Sequence, residues 1–225
     1  MRELVFAVSA DPYSDRNKLG AALMSRWISA MAAMALFALA AHAAETGSRA
    51  PDASMKTAIF AGGCFWCMEA AFDEVPGVTE TVSGYAGGMV PEPTYGHHPG
   101  YQEAVKVTYD PSKVSFANLL DWYWHNIDPF DAEGQFCDKG DPYKSVIFVS
   151  DDEERELAEK TKQEIADRLK QTVATEIKPV TTFTAAEDYH QHYHDKNPVS
   201  YKFYKWRCGR AQRLEEIWGP PQKPS

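Results

Sequence analysis

The stretch "AGGCFWCMEAAF", residues 61–72, sets two cysteines three positions apart directly behind a pair of glycines. It follows "KTAIF" (56–60), a run typical of a short strand. The segment therefore predicts a strand, a glycine turn and a helix over 64–75 whose first residue is Cys64. Taken alone, the pair Cys64 and Cys67 fits a redox centre, half of a metal site or two buried thiols in a core helix.

The elements around this segment alternate along the chain. The sequence predicts further strands at 77–88, 102–110 and 144–150 and helices at 115–126 and 151–172. The order strand, helix, strand, strand, helix, strand is that of ferredoxin-like domains. A further strand near 176–183 and a helical C-terminal segment follow. The predicted class is therefore α/β (α+β), a two-layer sandwich with a ferredoxin-like β-α-β-β-α-β core and an extended C-terminal tail. One domain is expected at 56–219, with 44–55 as a linker and 220–225 as a tail.

Residues 1–43 are typical of a signal peptide. From Met24 the chain reads "MSRWISAMAAMALFALAAHAAETG", which is a basic residue, an apolar run too short to span a bilayer comfortably and an Ala-x-Ala cleavage site. Residues 1–23 carry charges of both signs, as though translation began at Met24. We expect cleavage after Ala43 and a periplasmic or secreted protein. An uncleaved membrane anchor is the alternative, although no stable anchor is expected.

The composition argues against nucleic acid as a partner. The chain has 225 residues and a formal charge of -9 at pH 7. Nucleic-acid-binding proteins usually carry a basic stripe, whereas the basic stretch visible here is the short segment 202–213. We expect a monomeric globular protein.

The cysteines do not predict a metal site. The chain has four: Cys64, Cys67, Cys137 and Cys208. Disulfides persist in exported proteins, and four cysteines allow three complete pairings. A zinc ribbon needs a second C-x-x-C pair, which Cys137 and Cys208 do not provide. His190 and His194 lie one helical turn apart without an acidic third ligand at a recognised spacing, which favours a solvated or core-facing helix.

Cys64 is the candidate nucleophile. The N–H groups and dipole at a helix N-terminus favour anions, so we expect a lowered thiol pKa and a thiolate near neutral pH. Cys67 lies one turn further on, within disulfide reach. Phe65 and Trp66 predict an apolar pocket around the thiolate, since an aromatic pair at a helix entrance is seldom fully buried; the alternative is that both rings belong to the core.

Several ordered motifs carry a family resemblance. "GGCFWC", "PGV…SGYAGG…PTY", "EAV.V.YDP", "GQFCD.G..Y.S" and "AEDYHQ.Y..KNP" resemble the A-type peptide methionine sulfoxide reductases along nearly all of 57–219. The resemblance implies an α/β sandwich and thiol-dependent reduction of the S epimer of methionine sulfoxide, free or in proteins. It implies no bound cofactor and an external, thioredoxin-like dithiol as the reductant partner.

The resemblance also implies a role for each matching residue. Cys64 is the attacking thiolate, which becomes a sulfenic acid as methionine leaves. Phe65 and Trp66 hold the substrate methyl group. The polar positions that match the family are the acid Glu103 near the sulfoxide oxygen, the hydroxyl donors Tyr85 and Tyr143, and the aspartate Asp138. A carboxyl in an apolar pocket has a raised pKa, so we expect Glu103 to be protonated and to act as the general acid.

A second thiol must trap the sulfenic acid as a disulfide. We rank the candidates Cys208, Cys67 and Cys137, with little separating the first two. Cys208 lies in the tail "KWRCGR" and could arrive on a mobile segment, as C-terminal cysteines do in many relatives. Two functions of other classes stay open: a thioredoxin-like disulfide carrier that uses Cys64 and Cys67, and a non-catalytic binding module with structural disulfides.

Overall fold

The computed structural model describes residues 55–221. The predicted signal peptide (1–43), the predicted start at Met24 and nearly all of the predicted linker (44–55) lie outside the described residues. Within 55–221, no helix is both long enough and apolar enough to cross a membrane.

The described chain begins with strand β1 and helix α1. The elements in chain order are β1 Lys56–Ala61, α1 Phe65–Phe72, β2 Val78–Ala86, β3 Gln102–Tyr109, α2 Phe116–Trp124, β4 Gly134–Gln135, β5 Asp138–Lys139, the 3-10 helix Asp141–Tyr143, β6 Val146–Val149, α3 Asp152–Leu169, β7 Glu176–Pro179, β8 Phe183–Ala185, α4 Tyr193–Lys196, α5 Pro198–Arg207 and α6 Arg210–Trp218. The predicted mixed α/β class is confirmed.

Six strands form the main sheet in the order β7-β6-β1-β3-β2-β8. Neighbours run antiparallel except β6 and β7, which run parallel. The predicted order of strands and helices is compatible with this sheet, whose four central strands are β6, β1, β3 and β2. The predicted single strand near 176–183 is instead two strands, which extend the sheet at opposite edges.

The main core lies between one face of the sheet and helices α1, α2 and α3. It joins side chains such as Phe60 of β1, Val107 of β3, Phe72 of α1 and Leu120 of α2. Alternate residues of the same strands, including Ile59, form a smaller apolar cluster on the other face. This alternation follows from the two-residue period of a strand, and the helices packed on the sheet are compatible with the predicted sandwich.

Helix α2 begins where the sequence predicts. The Ser115 side chain accepts a hydrogen bond from the N–H of Asn118, and the Asn118 side chain accepts from the N–H of Ser115. These reciprocal bonds form a capping box, which satisfies backbone donors that the first helical turn leaves free.

Candidate active site

Cys64 lies at the turn between β1 and α1, at the N-cap position of the helix. Gly63 has a φ of +83°, which side chains with a Cβ rarely adopt, and a Cβ there would approach Gln135 to 2.6 Å. A Cβ on Gly62 would approach the Met68 sulfur to 2.5 Å. The glycine pair is therefore needed for the close packing that sets the Cys64 thiol at the helix end, where it is buried.

Glu103, on β3, faces the first turn of α1. Its Oε2 atom accepts a hydrogen bond from the Phe65 N–H over 3.0 Å, and the residue is 1% exposed. Burial raises the pKa of Glu103 to about 8, although the Phe65 N–H favours the charged form. The predicted raised pKa is thus confirmed, and Glu103 is protonated at neutral pH.

Two tyrosines flank this carboxyl group. Tyr85 lies directly opposite Glu103 in the pairing of β2 with β3, and Tyr143 ends the 3-10 helix. Burial raises the pKa of both hydroxyls above the usual tyrosine range, and the charge of Glu103 adds to the effect. Both therefore remain protonated donors. In this structure the Tyr85 hydroxyl donates to Glu187 over 2.9 Å, a partner that the sequence analysis did not identify.

Residues from the C-terminal part of the chain contact Phe65 and Trp66, the two aromatic residues that follow Cys64. Trp66 stacks on Tyr193 with ring centroids 3.9 Å apart, and its Nε1–H donates to His190 Nδ1 over 3.1 Å. Phe65 is buried, and its ring centroid lies 5.0 Å from that of His190. Burial lowers the pKa of His190, which keeps the imidazole neutral and able to accept the indole N–H. His190 is therefore a buried partner of the pocket.

The expectation of a lowered Cys64 pKa is wrong. Burial raises the pKa of this thiol well above its ordinary value, and the hydrogen bond with Cys67 raises it further. The first N–H of the helix, which was expected to stabilise the thiolate, donates to Glu103 instead. The helix end is thus too desolvated for the dipole to dominate.

The pKa of Cys67 moves the other way. The hydrogen bond from Cys64 lowers it to about 6 despite burial, and the positive charges of Arg210 and Lys205 contribute. Both thiols are free and buried. The two pKa values therefore shift in opposite directions, which favours the protonated thiol at Cys64 and the thiolate at Cys67.

The remaining two cysteines form a disulfide, Cys137–Cys208, with Cα atoms 4.8 Å apart and a sequence separation of 71. It joins the turn between β4 and β5 to the C-cap of α5. Cys208, which the sequence analysis ranked first as the resolving thiol, is thus bonded to Cys137, whereas Cys67 is the free thiol beside Cys64.

Asp138 follows this bridge directly and lies at the site. Burial raises the pKa of its carboxyl group, while a hydrogen bond from the Tyr204 hydroxyl lowers it. Tyr204, on α5, was not among the predicted site residues. The structure therefore brings all seven predicted catalytic and substrate-binding positions into one region around Cys64, and adds Glu187, His190 and Tyr204.

One group of potential metal ligands comes together among residues 55–221. The ligand atoms of Cys137, Asp138 and Cys208 lie within 4.8 Å of one another. Because the two sulfurs are bonded to each other, neither is a thiolate available to a metal. In this oxidised form the group is a disulfide next to a carboxylate.

A cleft of about 220 Å³ reaches Cys67. Its walls come from α1, α2 and α6 and include Ala71, Trp122, Arg210 and Trp218. The cleft gives the second thiol of the pair a connection to the protein surface that does not involve Glu103 or the tyrosines.

The chain is similar to known proteins over the region that holds this site. The family model described as "Peptide methionine sulfoxide reductase" matches residues 56–222. The chain belongs to the peptide methionine sulfoxide reductase family. Peptide methionine sulfoxide reductase MsrA of Limosilactobacillus reuteri is 46% identical over 172 residues, which cover 73% of this chain and 98% of that protein. MsrA 2 of Caulobacter vibrioides is 46% identical over 188 residues, covering 80% and 95%.

Solved reductase structures have a similar fold. Methionine sulfoxide reductase A of Corynebacterium diphtheriae superposes with a TM-score of 0.60 at 32% identity, covering 66% of this chain and 77% of that one. Mxr1 of Saccharomyces cerevisiae in its reduced form gives 0.62 at 29% identity, covering 68% and 92%. The family match includes every residue of the site described above, so the reductase family and the constellation around Cys64 lie in the same part of the chain.

Proposed function

We propose that this chain reduces the S epimer of methionine sulfoxide, free and in proteins, to methionine, and so repairs oxidative damage. One observation carries the proposal. A pair of free, buried thiols lies beside a buried carboxyl group with a raised pKa and two tyrosine hydroxyls, with an aromatic pocket on the same helix end. Family membership supports the same substrate chemistry.

The donors act on the sulfoxide oxygen. Glu103 is protonated at neutral pH because burial raises its pKa to about 8, so it can protonate that oxygen as the S–O bond breaks. Tyr85 and Tyr143 donate hydrogen bonds to the same oxygen, where negative charge develops in the transition state. For Tyr85 this means exchanging its bond to Glu187 for one to the substrate.

Cys64 supplies the nucleophile. As it attacks, its proton passes to Cys67, the neighbouring thiol, whose pKa is lowered to about 6. The oxygen ends on Cys64: one sulfoxide and one thiol give one thioether, methionine, and one sulfenic acid. The sulfoxide sulfur is reduced by two electrons and the Cys64 sulfur is oxidised by two.

Cys67 then resolves the sulfenic acid. Its sulfur attacks Cys64, a disulfide forms and water leaves. An external, thioredoxin-like dithiol returns both thiols and itself becomes a disulfide, so the site needs no bound cofactor. The cleft that reaches Cys67 offers this reductant its approach.

The geometry also supports selection of one epimer. Four different substituents, counting the lone pair, surround a sulfoxide sulfur. The polar groups at Glu103 fix the oxygen, Phe65 and Trp66 take the methyl group, and Cys64 approaches from the helix end. Tyr95 and Tyr189 are 42% and 59% exposed beside this pocket, which leaves room for a substrate within a peptide chain.

We further propose that the protein acts as a monomer in the periplasm or outside the cell. The signal-like sequence from Met24 supports export. A disulfide between Cys137 and Cys208 supports an oxidising compartment. N-terminal sequencing of the exported protein should begin at Ala44, and recovery of Met1 would contradict the proposal.

The experiment is dithiol-driven turnover of resolved methionine S- and R-sulfoxides, with wild type beside Cys64→Ser. Turnover of the S epimer alone, lost in Cys64→Ser, is the expected result. Turnover of neither epimer by folded, reduced protein, together with reduction of insulin disulfides, would instead establish a disulfide carrier.

A further inference from the structure

Tyr204 contacts three parts of the site. Its hydroxyl donates its one proton to Asp138 Oδ2. The Cys64 thiol lies near enough to the same hydroxyl for each group to shift the pKa of the other. Its ring meets Trp66 edge to face, with centroids 6.0 Å apart. A single phenol group therefore joins the nucleophile, the aspartate and the aromatic pocket.

The Cys137–Cys208 disulfide fixes both ends of the Tyr204–Asp138 bond. Cys137 directly precedes Asp138 in the turn between β4 and β5. Cys208 follows Tyr204 by four residues, so the two lie one above the other on the same side of the helix end. Opening the bridge would free α5, and Tyr204 with it, from the turn that carries Asp138.

The nucleophile needs a donor in this position. Burial raises the pKa of Cys64, and both Cys67 and Glu103 raise it further; the hydrogen bond from Tyr204 opposes them. The Phe65 N–H is used by Glu103. When Cys64 passes its proton to Cys67, the Tyr204 hydroxyl exchanges its bond to Asp138 for one to the new thiolate, a bond to a charged group and therefore a strong one.

We propose that Tyr204 is a further catalytic residue, the hydroxyl donor to the Cys64 thiolate, and that the Cys137–Cys208 disulfide is the latch that positions it and stays closed through turnover. The proposal deepens the function proposed above and rests on it. It gives the second cysteine pair a role other than resolving the sulfenic acid.

The first test measures Cys64 without any sulfoxide. In full-length Cys67→Ser protein with the bridge intact, Cys64 is the only free thiol of the four cysteines. Tyr204→Phe should move the pH profile of iodoacetamide alkylation to higher pH and slow the reaction at pH 7 about ten- to a hundred-fold, the loss expected for a hydrogen bond to a charged group.

Tyr109→Phe is the matched control. Tyr109 is also buried and lies on β3 six residues beyond Glu103, about 20 Å along the strand. Its alkylation profile should equal that of the parent. An unchanged profile in Tyr204→Phe, or an equal shift in Tyr109→Phe, would overturn the role of Tyr204.

The second test links Tyr204 to the bridge by a double-mutant cycle. Cys137→Ser with Cys208→Ser should slow Cys64 alkylation by the same factor as Tyr204→Phe, and the three substitutions together should slow it no further. Additive effects would contradict the proposal that the Cys137–Cys208 disulfide positions Tyr204. Because alkylation requires no turnover, these outcomes are separate from the sulfoxide assay: failure of that assay with a shifted alkylation profile would remove the proposed function and leave the Tyr204 contact established.

Discussion

The two cysteine pairs of this protein differ in almost every physical respect. Cys64 and Cys67 lie on one helical turn and are free and buried, with pKa values shifted in opposite directions, and Arg210 and Lys205 favour the ionised state of Cys67. Cys137 and Cys208 are 71 residues apart in sequence and are bonded to each other across a turn and a helix end. The comparison teaches that proximity along the chain marks the reactive pair and separation marks the pair that constrains structure.

Replacing one cysteine from each pair should affect sulfoxide turnover very differently. Cys64→Ser should lower sulfoxide turnover by more than about a thousand-fold, because a hydroxyl cannot replace the thiolate nucleophile. Cys208→Ser, the control from the other pair, should keep most of the first-turnover yield. Methionine formation in each variant is measured by chromatography. Equal losses of methionine formation in Cys64→Ser and Cys208→Ser would contradict the distinction between a reactive and a constraining pair.

Cys67→Ser should stop recycling and should slow the first reaction without abolishing it, because the variant lacks both the resolving thiol and the acceptor of the Cys64 proton. Without a resolving thiol the variant should release about one methionine per enzyme and then stall with Cys64 as a sulfenic acid. Trapping with dimedone and intact-mass measurement would detect that acid. Continued multiple turnover by Cys67→Ser with a protein dithiol would show that the other pair resolves the intermediate.

The pH dependence follows from the reactive pair and its acid. Turnover should rise with pH through about 6, as the thiol pair ionises, and fall through about 8, as Glu103 loses its proton. Glu103→Gln should lower kcat about a hundred- to a thousand-fold and remove the descending limb. A kcat profile that still falls near pH 8 in Glu103→Gln would assign that limb to another group.

The constraining pair should contribute to stability as well as to the position of Tyr204. Replacing Cys137 and Cys208 by serine should lower the free energy of unfolding by about 2–4 kcal/mol, because the bridge restricts the unfolded chain over a long loop. Urea unfolding of oxidised wild type and the double variant measures this loss. Under the same conditions Cys67→Ser should change stability much less, and the reverse order would contradict the comparison.

Replacing His190, which contacts the aromatic residues beside Cys64, should have a smaller effect than the changes above. His190→Ala leaves the Trp66 N–H without its partner. The KM for methionine sulfoxide should rise about three- to ten-fold with kcat nearly constant, as expected for one hydrogen bond that holds the pocket in place. A fall in kcat at unchanged KM would instead place His190 in the chemical step.

The sequence predicted most of the fold because its signals are local. The glycine turn before Cys64 and the capping residue Ser115 are set by neighbouring residues, and the elements predicted up to α3 lie close to their predicted spans. The strands of two residues, β4 and β5, are too short for a periodic pattern. The division of 176–183 into two strands depends on which edge of the sheet each half meets.

The sequence predicts which residues form the site, but it does not predict the direction in which the pKa of Cys64 shifts. The motifs identify Cys64, Glu103 and the tyrosines, but the pKa of Cys64 depends on burial by distant segments and on the use of the Phe65 N–H by Glu103. The pairing of Cys137 with Cys208 was one of several that four cysteines allow. Tyr204 had one usable signal: it lies one helical turn before Cys208.

The most direct measurement of the central claim is a disulfide map of wild-type protein after a single turnover without reductant. The enzyme is first treated with a dithiol mild enough to leave the Cys137–Cys208 bridge in place, then given one equivalent of methionine S-sulfoxide, digested and analysed by mass spectrometry. Our account predicts a new Cys64–Cys67 disulfide beside an unchanged Cys137–Cys208 disulfide. A bond from Cys64 to Cys208 or to Cys137 would contradict it.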